Sequence, residues 1–321
     1  MILKAIIDNK QVFYEMAEAN HGVFASREWL EIYGDALTLV GIYKDEQQLI
    51  GGFYYLNTKK AGFTYIKLPP YTPHCGLFYK NESKNKASQL NFTKELLNEV
   101  GDYLEQQKFT LCVLAFPSQI IDFQNFIWRD FKVIPNYTYR IQLNQSIETI
   151  VSNFDSKNRN AINKSLKEGL QVKEGLQKPN ELYDYFLESL TKAGANVYKD
   201  ELKNIFLKFA SVKNSFALQA CMDDKIIGTV FCIYDHKNCY YLLGGVDKAA
   251  GVQGINNLLI LKSIEKAKSL GCEIFDFDGS MLKGVEKFFR SFGPDLVPYF
   301  TVNKAHIALE MALKLKKRSL F

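Results

Sequence analysis

One phrase of secondary structure occurs twice in this chain of 321 residues, in the same order each time. Early on, "LTLVGIY" reads as a strand, "KDEQQ" as a polar turn and "LIGGFYYL" as the return strand. "FTYIKLP" follows as a third strand after a Lys-Lys-Ala-Gly turn. Much later "FALQACM", the turn "DDK", "IIGTVFCIY" and, after Asp-His-Lys-Asn, "CYYLLGGV" repeat the pattern. Each meander leads into a helix. In the first, Phe92, Leu96, Leu97, Val100, Tyr103 and Leu104 share one face. In the second, Ile255, Leu258, Leu259, Lys262 and Ile264 belong to a helix that ends at Gly271. A strand follows in each half, "FTLCVLAF" and then "EIFDF". A last helix carries Ile120, Phe123, Phe126 and Ile127 in one half, and Val285, Phe288, Phe289 and Phe292 in the other.

Two copies of a long unit imply a duplicated pair of α+β domains with mixed sheets flanked by helices, and not a solenoid. The boundary is expected at 140/141, within a seam near 135–150 marked by Pro135. No Gly/Ser-rich linker separates the halves, so they are expected to pack together. Two unrelated α/β domains sharing common words is the alternative, and the matching order of elements favours duplication.

Composition narrows the class. The chain is 47% apolar and 23% charged, enough for an ordinary core. A net charge of +5 tolerates an anionic ligand, but the lysines are dispersed and do not by themselves imply nucleic acid. No apolar run reaches the ~18 residues that span a bilayer, so no integral membrane segment is expected. "MILKAIIDNKQ" is too soon charged for a signal peptide. Six irregularly spaced cysteines without C-x-x-C read as reduced, mostly buried thiols, which points to the cytoplasm. The four histidines lack metal-ligand spacing, and no metal site is expected.

Meander, glycine-bearing strand–loop–helix, strand and helix is the order of the GNAT (acyl-CoA N-acyltransferase-like) fold. Two such halves in tandem resemble the Fem family of aminoacyl (peptidyl) transferases and their FemAB-like relatives. Nearly the whole chain takes part. "FDSKNRNAINKSLKEGLQVKEG" is similar to the segment opening that family's second domain. "GCEIFDFDGS" is similar to its Gly-x-x-x-x-Asp-Phe-x-Gly strand, and "VEKFFRSFGPDLVPYF" to its Phe-Lys-x-x-Phe-Gly helix end. "PPYTPHCG" resembles a proline- and tyrosine-rich loop of the first domain. No heptad-rich insertion is present, so the resemblance is to the armless type.

The resemblance implies transfer of an acyl or aminoacyl group to an amine, such as that of a nucleotide- or lipid-linked cell-wall (peptidoglycan) precursor peptide. Acyl-CoA or aminoacyl-tRNA would be a co-substrate, with no tightly bound cofactor. Two other readings stand: a small-molecule acyl-CoA N-acyltransferase, and a GNAT-fold binding module without chemistry. One departure bears on them. Phe289 holds the position of the family's lysine, and Arg290 is one step, ~100°, around the helix.

Acyl transfer to an amine needs a proton acceptor, stabilisation of the oxyanion and alignment of two substrates. Asp276 and Asp278 alternate in "IFDFDG", so they are expected on one strand face as acceptor-binding or base groups, with Phe275 and Phe277 on the other. A strand-ending turn at Asp278-Gly279 is the alternative. Arg290 completes the catalytic candidates. Arg159 and Lys164, on a helix-like stretch over 156–168, are candidates for a substrate phosphate or carboxylate, against an ordinary solvated helix. "DKAAGVQGINNLL" lies between a strand and a helix, as a phosphate loop does. Lys248, Gly251, Gln253 and Gly254 are its donor-binding candidates, although Gln253 stands where a small residue would let the backbone approach. Tyr71 is a further substrate-binding candidate in the first half. The site is expected in or beside the second domain, facing the interdomain cleft, with the first domain helping to bind the acceptor.

Overall fold

The computed structural model describes residues 1–6, 10–175, 179–192, 197–210, 214–279 and 281–316. Along the chain lie β1 (Ile2–Ala5), α1 (Gln11–His21), α2 (Arg27–Leu30), β2 (Leu37–Tyr43), β3 (Leu49–Lys60), β4 (Phe63–Lys67), β5 (Phe78–Tyr79), α3 (Lys86–Gln106), β6 (Leu111–Ala115), α4 (Gln124–Ile127) and β7 (Lys132–Gln142). There follow α5 (Ile147–Ser152), α6 (Ser156–Lys167), β8 (Gln171–Glu174), α7 (Pro179–Lys192), α8 (Lys199–Asn204), β9 (Ser215–Met222), β10 (Lys225–Tyr234), β11 (Asn238–Val246), α9 (Ile255–Ser269), β12 (Ile274–Asp276), α10 (Lys283–Arg290), β13 (Asp295–Ala305) and α11 (Ile307–Lys316).

The chain divides into two units. One comprises 1–136 with 298–321, the other 137–297. Residues 298–321 therefore group with the first unit, where the sequence placed them in the second. In the first unit the strand order is β1-β2-β3-β4-β6-β13. The first four strands are antiparallel, β6 is parallel to β4, and β13 closes antiparallel to β6. In the second unit the order β8-β9-β10-β11-β12-β7 repeats this pattern: four antiparallel strands, a parallel fifth and an antiparallel sixth. The sixth strand of each sheet thus follows the last helix of the other half. Local periodicity cannot reveal that exchange.

Two-residue turns with both residues at positive φ join one hairpin in each unit, Ala61-Gly62 between β3 and β4 and Asp223-Asp224 between β9 and β10. That geometry matches the twist of paired strands. The predicted face of α3 is buried at Leu96, Leu97, Val100, Tyr103 and Leu104, against Val40, Phe53 and Phe116. The last helix of the first half is shorter than expected. Only Gln124–Ile127 is helical, Ile120 and Phe123 reach the core from the preceding loop, and Ile127 is exposed. The second core gathers Leu258, Leu259 and Ile264 of α9 with Phe275, Phe277, Phe289 and Phe292. Among the described residues no helix is long and apolar enough to cross a membrane. All six cysteines are buried free thiols.

Candidate active site

In the second unit, β11 and β12 pair for a short stretch. Parallel pairing ends at Tyr240 and Asp276, whereas β11 continues to Val246. The polypeptide leaving β12 turns at Asp278 and Gly279, just beyond the last pair with β11. Tyr241, on the part of β11 past that pair, lies over its own strand. A Cβ at Gly244 would be 1.6 Å from the Tyr241 hydroxyl, so only glycine fits at that position.

The two carboxylates do not alternate along one strand, as the sequence suggested. β12 ends at Asp276, and Asp278 is left-handed (φ 54°) in a turn with Gly279 (φ 114°). Local hydrogen bonding won over strand continuation. Asp276 is buried, and its Oδ1 accepts from the Asp278 N–H (2.9 Å) and from the Thr138 hydroxyl (2.6 Å). Its Oδ2 accepts from Arg140 Nε at 2.7 Å. Thr138 Oγ1 in turn accepts the Gly279 N–H at 3.0 Å. Asp276 therefore shapes a turn, with both carboxyl oxygens engaged. Burial, and then the Asp276 charge, push the Asp278 carboxyl well above the ordinary carboxylate range.

Thr138 and Arg140 were not singled out from the sequence. They are two apart in "YTYRIQL" and so share a strand face, which was the available signal. What they face is decided by the pairing of β7 with β12, where Arg140 is the register partner of Asp276.

Phe289 is buried, with its ring 4.5 Å from that of Phe277 and 5.7 Å from that of Tyr241. The position of the expected lysine is thus a core position here. Arg290 is exposed, and its Nε donates to Glu286 at 2.8 Å. The same Glu286 oxygen accepts from the Tyr139 hydroxyl at 2.8 Å.

A pocket of about 580 Å³ lies between α6, α9 and α10. Lys157, Lys287 and Arg290 bring positive charge to it, Phe288 an aromatic wall, and Asn158 and Asn257 an amide floor. The floor is built. Asn257 Nδ2 donates to Asn158 Oδ1 at 2.9 Å, and buried Asn158 donates to Ser291. At the start of α9, the N-cap Gly254 supplies no side-chain cap.

The loop before α9 serves packing at one glycine and leaves space at another. Gly254 has φ +80°, and an added Cβ would be 2.4 Å from the Ala161 carbonyl oxygen, so α6 approaches α9 closely there. Gly251, at φ +69°, faces open space. Gln253 accepts from Lys164 at 3.3 Å, which turns its side chain to α6. Lys164 also pairs with Glu168 at 3.8 Å. The backbone of Lys248 is in a short helical turn, and its side chain lies outside the described residues. Arg159 is spent on structure, its Nη1 donating to the carbonyls of Ser152 and Phe154 at the end of α5. Tyr71 belongs to the first unit. It is held at φ +60° in a loop where Tyr33 donates to the Pro70 carbonyl (2.5 Å) and Trp29 to the Thr72 hydroxyl (2.9 Å). Cys75, beside His74, is fully buried with its thiol pushed up to about 12, the state of an inert core thiol. Among the described residues no group of three or more His, Cys, Asp or Glu side chains is placed to hold a metal.

Residues 156–290 match the family model described as an acetyltransferase (GNAT) domain. Fold and matched domain together define an acyltransferase of GNAT architecture. Its tandem arrangement is that of several solved structures. FemX is similar over 92% of this chain and 96% of its own, with 11% identity and a TM-score of 0.64. L-PGS from Bacillus licheniformis is similar over 97% and 96%, with 12% identity and a TM-score of 0.57. A tandem GNAT protein from the clavulanic acid biosynthesis pathway is similar over 94% and 98%, with 8% identity and a TM-score of 0.53. No curated protein matches the chain by sequence.

Proposed function

We propose that the second unit transfers an acyl group from an acyl-CoA to an amine, with Asp278 as proton acceptor. The observation that carries this reading is the Asp278 carboxyl, raised in proton affinity and set in the turn that leaves β12. An attacking amine must shed a proton as its nitrogen bonds to the carbonyl carbon. A carboxylate whose proton affinity is raised takes that proton directly or through water. The phosphates of the donor would meet Lys157, Lys287 and Arg290 in the pocket between α6, α9 and α10, beside Asn257 in the first turn of α9. Phe289 removes a cation from the reacting region, so the developing oxyanion would be met by backbone N–H groups along the edge of β11 that β12 vacates.

An aminoacyl-tRNA donor would use the same phosphate chemistry, and likeness to FemX and L-PGS supports it as the second reading. The acceptor follows the same division, between a small amine and the amine of a nucleotide- or lipid-linked precursor peptide. Calorimetric titration with CoA and with an aminoacylated acceptor-stem minihelix separates the donors. The expected result is CoA binding that weakens about tenfold in Lys157→Glu/Lys287→Glu. Binding of the minihelix alone would favour the second reading, and binding of neither would overturn both.

A further inference from the structure

We propose that Thr138 is a positioning residue for the transfer, holding the turn that presents the Asp278 carboxyl. This rests on Asp278 being the proton acceptor. The geometry is a closed set of hydrogen bonds around one left-handed residue. The Thr138 hydroxyl donates to Asp276 Oδ1 at 2.6 Å and accepts from the Gly279 N–H at 3.0 Å. The same Asp276 oxygen accepts from the Asp278 N–H at 2.9 Å. The peptide N–H groups on both sides of the Asp278 Cα are therefore held, that of Asp278 by Asp276 and that of Gly279 by Thr138.

This matters because a non-glycine residue at φ 54° is strained and needs its surroundings to keep it there. A single hydroxyl meets that need from the neighbouring strand. Thr138 is buried in β7, and the adjoining register pair Arg140–Asp276 fixes its strand against β12. Only a side chain with both a donor and an acceptor on one atom completes the set. Serine retains that capacity, and isosteric valine does not. The charged and titratable groups around the turn are Asp276 on β12, Arg140 on β7 and Tyr240 on β11. Tyr139, Glu286 and Arg290 form the next linked group. Thr138→Val changes no formal charge among them, and exchange at the Gly279 amide separates a loosened turn from the loss of the Thr138–Asp276 hydrogen bond.

The test compares Thr138→Val, Thr138→Ser and Asp278→Asn in the full chain. NMR titration of carboxyl-labelled aspartate follows Asp278, hydrogen exchange follows the Gly279 amide, and release of free CoA from acetyl-CoA with a panel of primary amines follows turnover. Thr138→Val should move the Asp278 midpoint toward the ordinary carboxylate range, speed exchange at Gly279 and lower kcat about tenfold or more with KM little changed. Thr138→Ser should restore all three. Unchanged Asp278 titration and Gly279 exchange in Thr138→Val would overturn the positioning role. If Thr138→Val does not fold, Thr138→Ser decides, because loss of turnover there despite native titration would overturn the role equally. Full turnover in Asp278→Asn would instead remove the proton acceptor itself, and with it the reading on which this role depends.

Discussion

Arg140 and Asp276 are register partners on β7 and β12, and Arg140 Nε lies 2.7 Å from Asp276 Oδ2. The carboxylate is almost wholly buried, with 5% of its side chain exposed, while Arg140 retains 28%. Removing the guanidinium leaves a buried anion with fewer partners. Arg140→Ala is expected to cost about 3 kcal/mol. Arg140→Lys should restore only part, because the planar donor is lost. Urea denaturation with fitted midpoints measures both.

Asp278 gives stability a pH dependence of definite sign. Its carboxyl is raised above the ordinary 3.8, so the folded state holds the proton more tightly than the unfolded chain. Its contribution is therefore favourable at low pH and is lost as pH rises through the folded value. Asp278→Asn should abolish that slope. Thermal melts of the two proteins across pH 4–9 would show it, and parallel curves would contradict it.

His21 acts in the opposite direction. Burial lowers its pKa from 6.5 to about 4, although its Nε2 is 2.7 Å from the Leu77 carbonyl oxygen. The folded first unit thus resists protonation, and stability is lost as pH falls from 6.5 toward 4. The full effect is about 3 kcal/mol. His21→Gln should flatten this acid limb in a pH series of denaturation midpoints.

Introducing the resemblance's lysine as Phe289→Lys should not create an active-site cation. The side chain would enter the ring cluster of Phe277 and Tyr241, where burying an ammonium costs at least about 3 kcal/mol. A marked fall in Tm is expected, and a native Tm would show that the lysine had found another exit.

Gly254→Ala tests why the loop glycine is needed. Positive φ and the 2.4 Å approach to the Ala161 carbonyl together predict a loss of about 2–3 kcal/mol. Gly251→Ala, in open space, bears only the strain of φ +69° and should cost about 1 kcal/mol. Equal losses would argue against close helix packing as the reason.

The strands of the two meanders, the turns between them and the face of α3 were legible because alternation, 3.6-residue periodicity and turn residues are local properties. The resemblance located the second half of the chain as the place for chemistry, and the residue pattern supplied Asp276 and Asp278 as candidates. Their difference in role was not legible. Spacing gave two equivalent carboxylates on one face, whereas Thr138 and Arg140, from a strand more than a hundred residues earlier, make one an anchor and leave the other to titrate. Arg159 read as a ligand cation, but its guanidinium is committed to the carbonyls at the end of α5.

By itself, then, the sequence determined a duplicated α+β chain and the kind of the elements in its repeated phrase. Only tertiary structure decided that each sheet takes its sixth strand from beyond the other half's last helix. It also decided that the aromatic in place of a lysine is core, and that Asp276 is held by Arg140 and Thr138 while Asp278 sits in the turn beyond. The physical reason is that periodicity reports one chain segment at a time. Strand register and the burial of a charge are set by partners far away in sequence, and those partners decide what an ionisable side chain can do.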